Sequence, residues 1–191
     1  SIRGSDPDAA LFWASSMLEG GEDPQFIFRR MLIAAAEDIG LADPAAIQIV
    51  TSCAEAFDRV GMPEGWYFIA EAVLYCATAP KSNSCGAIFR ARERVKSSNY
   101  TVPMELRDTS RDGSVLNHGS GYKYPHDYTG HWIPHSYMPR ELFNNFFYIP
   151  SRIGFEKTRF MDTMLRHTDV LISEDLKLSM INAHAVTSAY A

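Results

Sequence analysis

No run of apolar residues in this sequence of 191 approaches the ~20 needed to span a bilayer. No basic segment followed by an apolar stretch opens it, so no secretory leader is expected. Cysteine is scarce: Cys53, Cys76 and Cys85 are odd in number and lack paired metal-ligand spacing. That argues against a disulfide framework and suits a reducing cytoplasm. No Gly-Lys pair occurs anywhere, which removes the usual glycine-rich phosphate loop. A cytosolic protein that contacts no membrane is the expectation.

What is present is enough to fold. At 46% hydrophobic and 12% aromatic residues, the chain can bury a sizeable core and is expected to be ordered. Its length suits one domain, with a short appendage at most. The net charge of −5 conceals an asymmetry: residues 1–80 balance to −8, residues 81–160 to +5 and the remainder to −2. An acidic half beside a basic half suits either another copy of the chain or a nucleic acid.

Prolines 7, 24 and 44 each follow an aspartate, and Pro63 continues their regular spacing. Asp accepts the free amides of a first helical turn, and Pro fits the first helical position because its missing N–H is not needed there. Glycines stand at the opposite ends: Gly20-Gly21, Gly40 and Gly61. Helices are therefore expected at about 7–19, 24–39, 44–60, 63–79 and 83–97, the last capped by Ser82 or Asn83. The segments share caps but no internal repeat, so the fold expected is an all-α, compact helical bundle and not a solenoid.

From about residue 98 the pattern changes. Tyr100, Tyr122, Tyr124, Tyr128, Tyr137 and Tyr148 alternate with prolines, glycines and histidines, without helical periodicity. This reads as an irregular extension packed through its aromatics. Helix resumes over 155–167, and Ser173-Glu174-Asp175 reads as the cap of one more, so one or two C-terminal helices are expected. The division expected is a helical domain with its extension over 1–169, then an extra C-terminal helix or the start of an additional segment over 170–191.

Small residues (Ala70, Ala72, Cys76, Ala77, Ala79) mark the fourth helix as one that another backbone approaches closely. Lys81-Ser82 superficially echoes a phosphate-binding loop, but an Ala-Pro stretch and an upstream helix replace the glycines and strand. Glu37-Asp38, at a helix end, oppose the dipole; Arg29, Arg30 or Arg59 is expected to compensate. His118, His126, His131 and His135 lie close together, yet Pro134 breaks the i, i+4 pair and no cysteine is near. Neither a metal site nor a catalytic residue is expected.

Two features point to partners. Leu11-Phe12-Trp13, Phe26-Ile27-Phe28 and Trp66-Tyr67-Phe68 each sweep roughly 200° of a helix, more than one buried stripe covers; Phe12, Trp13, Trp66 and Phe68 are the candidate subunit contacts. Arg90, Arg92, Arg94 and Lys96 are candidates for contact with nucleic acid or another subunit, with nearby tyrosines able to stack on unpaired bases.

Several stretches, in order, resemble one family: Ser1-Ile-Arg-Gly-Ser-Asp-Pro-Asp-Ala-Ala-Leu-Phe-Trp13, Gly20-Gly-Glu-Asp-Pro24, Ala36-Glu-Asp-Ile-Gly40, Ala77-Thr-Ala-Pro-Lys-Ser-Asn83 and Gly121-Tyr-Lys-Tyr-Pro-His-Asp127. The resemblance is to the C-terminal region of the RarA/MgsA replication-associated ATPases, over about residues 1–155. It implies that the chain is a fragment with no cofactor of its own, ATP and Mg belonging to an absent N-terminal AAA+ module. It implies a homo-oligomerisation module, a tetramer, of a protein of the bacterial cytoplasm and nucleoid. That protein would act with single-stranded DNA and single-strand-binding protein in replication-fork maintenance, recombination and repair. Residues 108–118 depart from the family pattern, so no role carries over to them. The alternatives are a nucleic-acid-binding module and, behind it, a metal hydrolase built on the histidines.

Overall fold

The computed structural model describes residues 1–107 and 119–188, with side chains of the last helix described as far as Ile172. Every regular element among them is a helix or a helical turn, as the all-α expectation required. The helices are α1 (Pro7–Glu19), α2 (Pro24–Ala34), α3 (Ala46–Val60), α4 (Trp66–Thr78), α5 (Ala87–Lys96) and α6 (Gly154–Ser188).

The Asp-Pro caps form as the sequence reads. Asp6 Oδ1 accepts the Ala9 N–H at 2.9 Å, and Asp23 Oδ1 accepts that of Gln25 at 3.0 Å. Asp43 uses the same chemistry on Ala45, at 3.1 Å, but α3 starts beyond it at Ala46. Pro63 lies in a turn over residues 62–65, and α4 starts at Trp66. After α2 the chain widens into one π-helical stretch, Ala35–Ile39, whose closing Gly40 N–H reaches back to Ala35 O.

The chain divides into two units, one of Ser1–Phe89 with Tyr148–Met161 and one of Arg90–Phe147 with Asp162–Ala191. In the first, α4 packs on α1, α2 and α3, and α2 packs on α3. Contact between α1 and α4 closes the set across two intervening helices, which a stack of sequential repeats does not do. Its core holds Ile27, Phe28, Met31, Ile39, Val50, Ile69, Val73 and Cys76. On α4 the buried positions Ile69, Ala72, Val73, Cys76 and Ala77 form a single stripe. Their small volume allows the close approach that the sequence implied.

The second unit is irregular, with single 3-10 turns at Met104–Leu106, Pro125–Asp127, Thr129–His131 and Arg140–Leu142. Its buried apolar side chains among the described residues are Ile133 and Leu142. Phe146 stacks on His167 with ring centroids 4.1 Å apart, and the Arg166 guanidinium lies 5.6 Å from the Trp132 ring. The expected internal packing of the tyrosines is only partial, because Tyr122, Tyr124, Tyr128 and Tyr137 are all exposed.

Of the one or two C-terminal helices expected there is one, with no new start at Ser173: α6 runs unbroken from Gly154 to Ser188. Acidic residues inside a helix resemble a cap in sequence, and only the backbone distinguishes them. Residues 108–118, including His118, lie outside the described residues.

Candidate functional site

The turn after α4 carries Ala79-Pro-Lys-Ser-Asn83, the stretch singled out in the sequence. Lys81 folds back so that Nζ donates to the carbonyls of Ala77, at 3.2 Å, and Ala79. It thereby supplies donors to carbonyls that a helix end leaves open. Burial pulls the Lys81 ammonium below its ordinary pKa, while nearby Asp38 acts the other way. The Ser82 N–H donates to Asp38 O at 2.8 Å, tying this turn to the π-helical stretch. Gly40 makes that approach possible, with φ +50° and an added Cβ only 2.9 Å from Ser82 O.

Beneath the turn lies a buried carboxylate that sequence reading missed. Glu156, in the first turn of α6, is 1% exposed. Its Oε2 accepts from the Ser82 hydroxyl, the Ser151 hydroxyl at 2.6 Å and the Ser151 N–H at 3.1 Å. Its Oε1 accepts from Ser84 Oγ and from Tyr148 OH at 3.0 Å. Burial alone would push the Glu156 pKa up, but the donated hydrogen bonds from Ser151, Ser82 and Ser84 outweigh it and bring it down to about 2. Burial, with the hydrogen bond to Glu156 added, pushes the Tyr148 phenol up to about 12. Charge and polar neighbours were visible in the sequence, but a lone Glu following Gly154-Phe155 carries no mark of burial.

A cleft of about 460 Å³ opens over this turn, lined by Arg3, Glu37, Asp38, Lys81, Ser82 and Asn83, with Ser151 and Ile153. Arg3 spans its acidic edge, with Nε 2.6 Å from Asp38 Oδ1 and Nη2 3.1 Å from Glu37 Oε1. The cation compensating Glu37-Asp38 is therefore Arg3, not Arg29, Arg30 or Arg59; the chain before α1 crosses the helix end. Arg29 instead faces Asp23 at 3.6 Å. Lys81 and Ser82 do not fit a nucleotide: the amine is engaged by carbonyls, the hydroxyl by Glu156, and Pro80 has no amide to offer.

The candidate contact residues fall into two groups. Phe12 and Trp13 project from α1, 64% and 59% exposed, in edge-to-face contact with centroids 5.1 Å apart. Trp66 and Phe68 are half-buried, and Phe68 packs against the core. Tyr67 between them is the most exposed of the three, at 79%. Arg90, Arg92, Arg94 and Lys96 are all exposed on α5. Arg90 Nη2 donates to Phe147 O at 2.6 Å, and Lys96 Nζ lies 2.7 Å from Glu93 Oε1. Arg92 and Arg94 have no hydrogen bond or ion pair from their guanidinium groups among the described residues.

In the second unit a cleft of about 400 Å³ is lined by Glu105, His135, Arg140, Phe143 and neighbouring residues. His135 Nε2 stands 3.8 Å from Glu105 Oε1. His126 lies between Tyr124 and His131, ring centroids 5.0 and 4.7 Å away. Among the described residues no three His, Cys, Asp or Glu side chains converge as metal ligands. No helix among them is long and apolar enough to cross a membrane.

With this geometry in view, comparison with known proteins is direct. Residues 4–167 match the family described as "MgsA AAA+ ATPase C terminal". The replication-associated recombination protein A of Coxiella burnetii is 44% identical over 160 residues, covering 82% of this chain and 36% of that protein. The protein of the same name in Escherichia coli K12 is 39% identical over 163 residues, with 82% and 36% covered. The ATPase WRNIP1 of Dictyostelium discoideum is 36% identical over 152 residues, which is 78% of this chain and 17% of that protein. The chain thus spans about a third of the length of the two bacterial relatives.

Proposed function

The chain belongs to the family of C-terminal domains of MgsA (RarA) AAA+ ATPases, and from that premise we propose that it is the module through which such an ATPase self-associates. The observation that carries this reading is the pair Phe12 and Trp13, two large aromatics held outward side by side on α1. Adjacent exposed aromatics of this size suit a protein–protein contact better than solvent. Holding several motor modules together raises their effective concentration on one DNA substrate.

In this reading the assembly is a tetramer, and residues 1–169 are the family domain with 170–191 as an addition. ATP and Mg belong to an N-terminal module of the whole protein, and this domain performs no chemistry itself. The whole protein works at replication forks and in recombination and repair, in the bacterial cytoplasm at the nucleoid. Single-stranded DNA and single-strand-binding protein are its partners. Support comes from the names of the relatives and from the engagement of Lys81 and Ser82 in structural bonds.

Light scattering on the purified chain tests the proposal. A mass well above 21.4 kDa that falls on dilution is expected, without nucleotide. A monomer throughout, at high micromolar concentration, would refute it. The nucleic-acid reading draws on the exposed Arg92 and Arg94, and an oligonucleotide titration of the same sample tests it.

A further inference from the structure

Helix α5 has ten residues and none is buried. Isolated helices of that length are marginal in water, and most helical stability in proteins comes from packing of an apolar face. Ile88, Phe89 and Val95 are nevertheless apolar, and each is about two-thirds exposed. Ile88, Ala91 and Val95 lie on one face, separated by three and four residues. Around that face stand Arg90, Arg92, Arg94 and Lys96 against one acid, Glu93. Such a helix calls for a cover that is apolar in the middle and acidic at its edges.

Two exposed helix faces of the same chain have those features. On α4 the exposed positions Tyr67, Glu71 and Leu74 follow one another at helical spacing, four and then three residues apart. Glu71 makes no ion pair or hydrogen bond among the described residues. On α1, which packs on α4, exposed Asp8 precedes Phe12 by one turn, beside Trp13. Both helices thus offer exposed aromatics with a carboxylate one turn away.

We infer that α5 of one copy docks on the α1–α4 face of a second copy, its apolar face against Phe12, Trp13, Tyr67 and Leu74, and Arg92 and Arg94 toward Glu71 and Asp8. The inference rests on the self-association proposed above and names the two surfaces that meet. The two surfaces can pair reciprocally across a two-fold axis or head-to-tail around a closed ring, and either arrangement uses both surfaces of every copy.

Charge reversal tests it on the intact chain, with far-UV circular dichroism as the check on folding. All the reversed positions are exposed, so the fold is expected to survive. Arg92→Glu with Arg94→Glu, and separately Glu71→Lys with Asp8→Lys, should each raise the dissociation constant about tenfold or more. All four changes in one chain should restore assembly. If the reversals leave the mass unchanged, while Phe12→Ser with Trp13→Ser dissociates the assembly, the docking of α5 is wrong and self-association stands. If the wild-type chain is monomeric, both fail. If Arg92→Glu with Arg94→Glu abolishes binding of a single-stranded oligonucleotide but leaves the mass intact, α5 is a nucleic-acid surface and the inference is overturned.

Discussion

Ser82 donates its hydroxyl hydrogen to Glu156 across 74 positions of sequence, and the two side chains are 6% and 1% exposed. This contact fastens the start of α6 under the turn that ends α4. The carboxylate has five donated hydrogen bonds, so its charge is solvated by protein in place of water.

The pH dependence follows from that bond set. The folded pKa of Glu156, about 2, lies below its ordinary 4.5. Stability from this group is fully present above about 4.5 and is lost as pH falls through about 2. The difference corresponds to roughly 3 kcal/mol. Glu156→Gln should lose a comparable amount at neutral pH and show a shallower acid limb. Urea melts of both proteins between pH 2 and 7 check this, and parallel acid limbs would refute it.

Gly154 should not accept a side chain. Its φ is +55°, and an added Cβ would collide with Ala42 O. Gly154→Ala is expected to cost about 2 kcal/mol or more. Gly21, at φ +89° with nothing within 4 Å of an added Cβ, serves as the control. Gly21→Ala should cost only about 1 kcal/mol. Equal losses in thermal melts would show that the close approach at Ala42 is not what matters.

The three thiols should react at different rates. Burial pushes the Cys76 thiol up to about 11 and raises that of Cys53, and Cys85 is exposed. Thiolate is the reactive form, so a disulfide reagent at mildly alkaline pH should label one fast site in the native chain. The other two should appear only with denaturant. Mass mapping that places the fast label on Cys53 or Cys76 would contradict this assignment.

Aromatic substitutions should separate assembly from folding. Phe12→Ser with Trp13→Ser is expected to lower the assembled mass with little change in the melt, since both rings are already outside. Phe68→Ser removes a ring packed against the core and should cost about 2–4 kcal/mol. A melt lowered equally by both changes would mean that α1 is stabilised by its exposed rings within one copy.

The starts of α1 and α2 were legible because their signals are local. An Asp-Pro pair sets its own first turn, and a positive-φ glycine ends its own helix, wherever they sit. What escaped was long-range. Arg3 reaching Asp38 and Glu156 reaching Ser82 and Ser84 join segments with no shared periodicity. The basic run over 90–96 was visible, but its lack of cover was not, because exposure depends on the whole fold. Sequence does not set Tyr67 apart from Trp66 and Phe68, since three adjacent aromatics look alike until the helix phase is fixed.

The first unit is discontinuous: its helical part ends at Phe89 and its sealing piece starts at Tyr148. Helices form within about microseconds, whereas a ribosome adds roughly 5–20 residues each second. The α1–α4 set therefore leaves the ribosome several seconds before Glu156 is synthesised, with Ser82 and Ser84 meanwhile open to water. For that interval the nascent chain presents an open polar seam to whatever meets it first. The order of synthesis makes residues 90–147 a timer as well as a structure, and lengthening that stretch would prolong the vulnerable state.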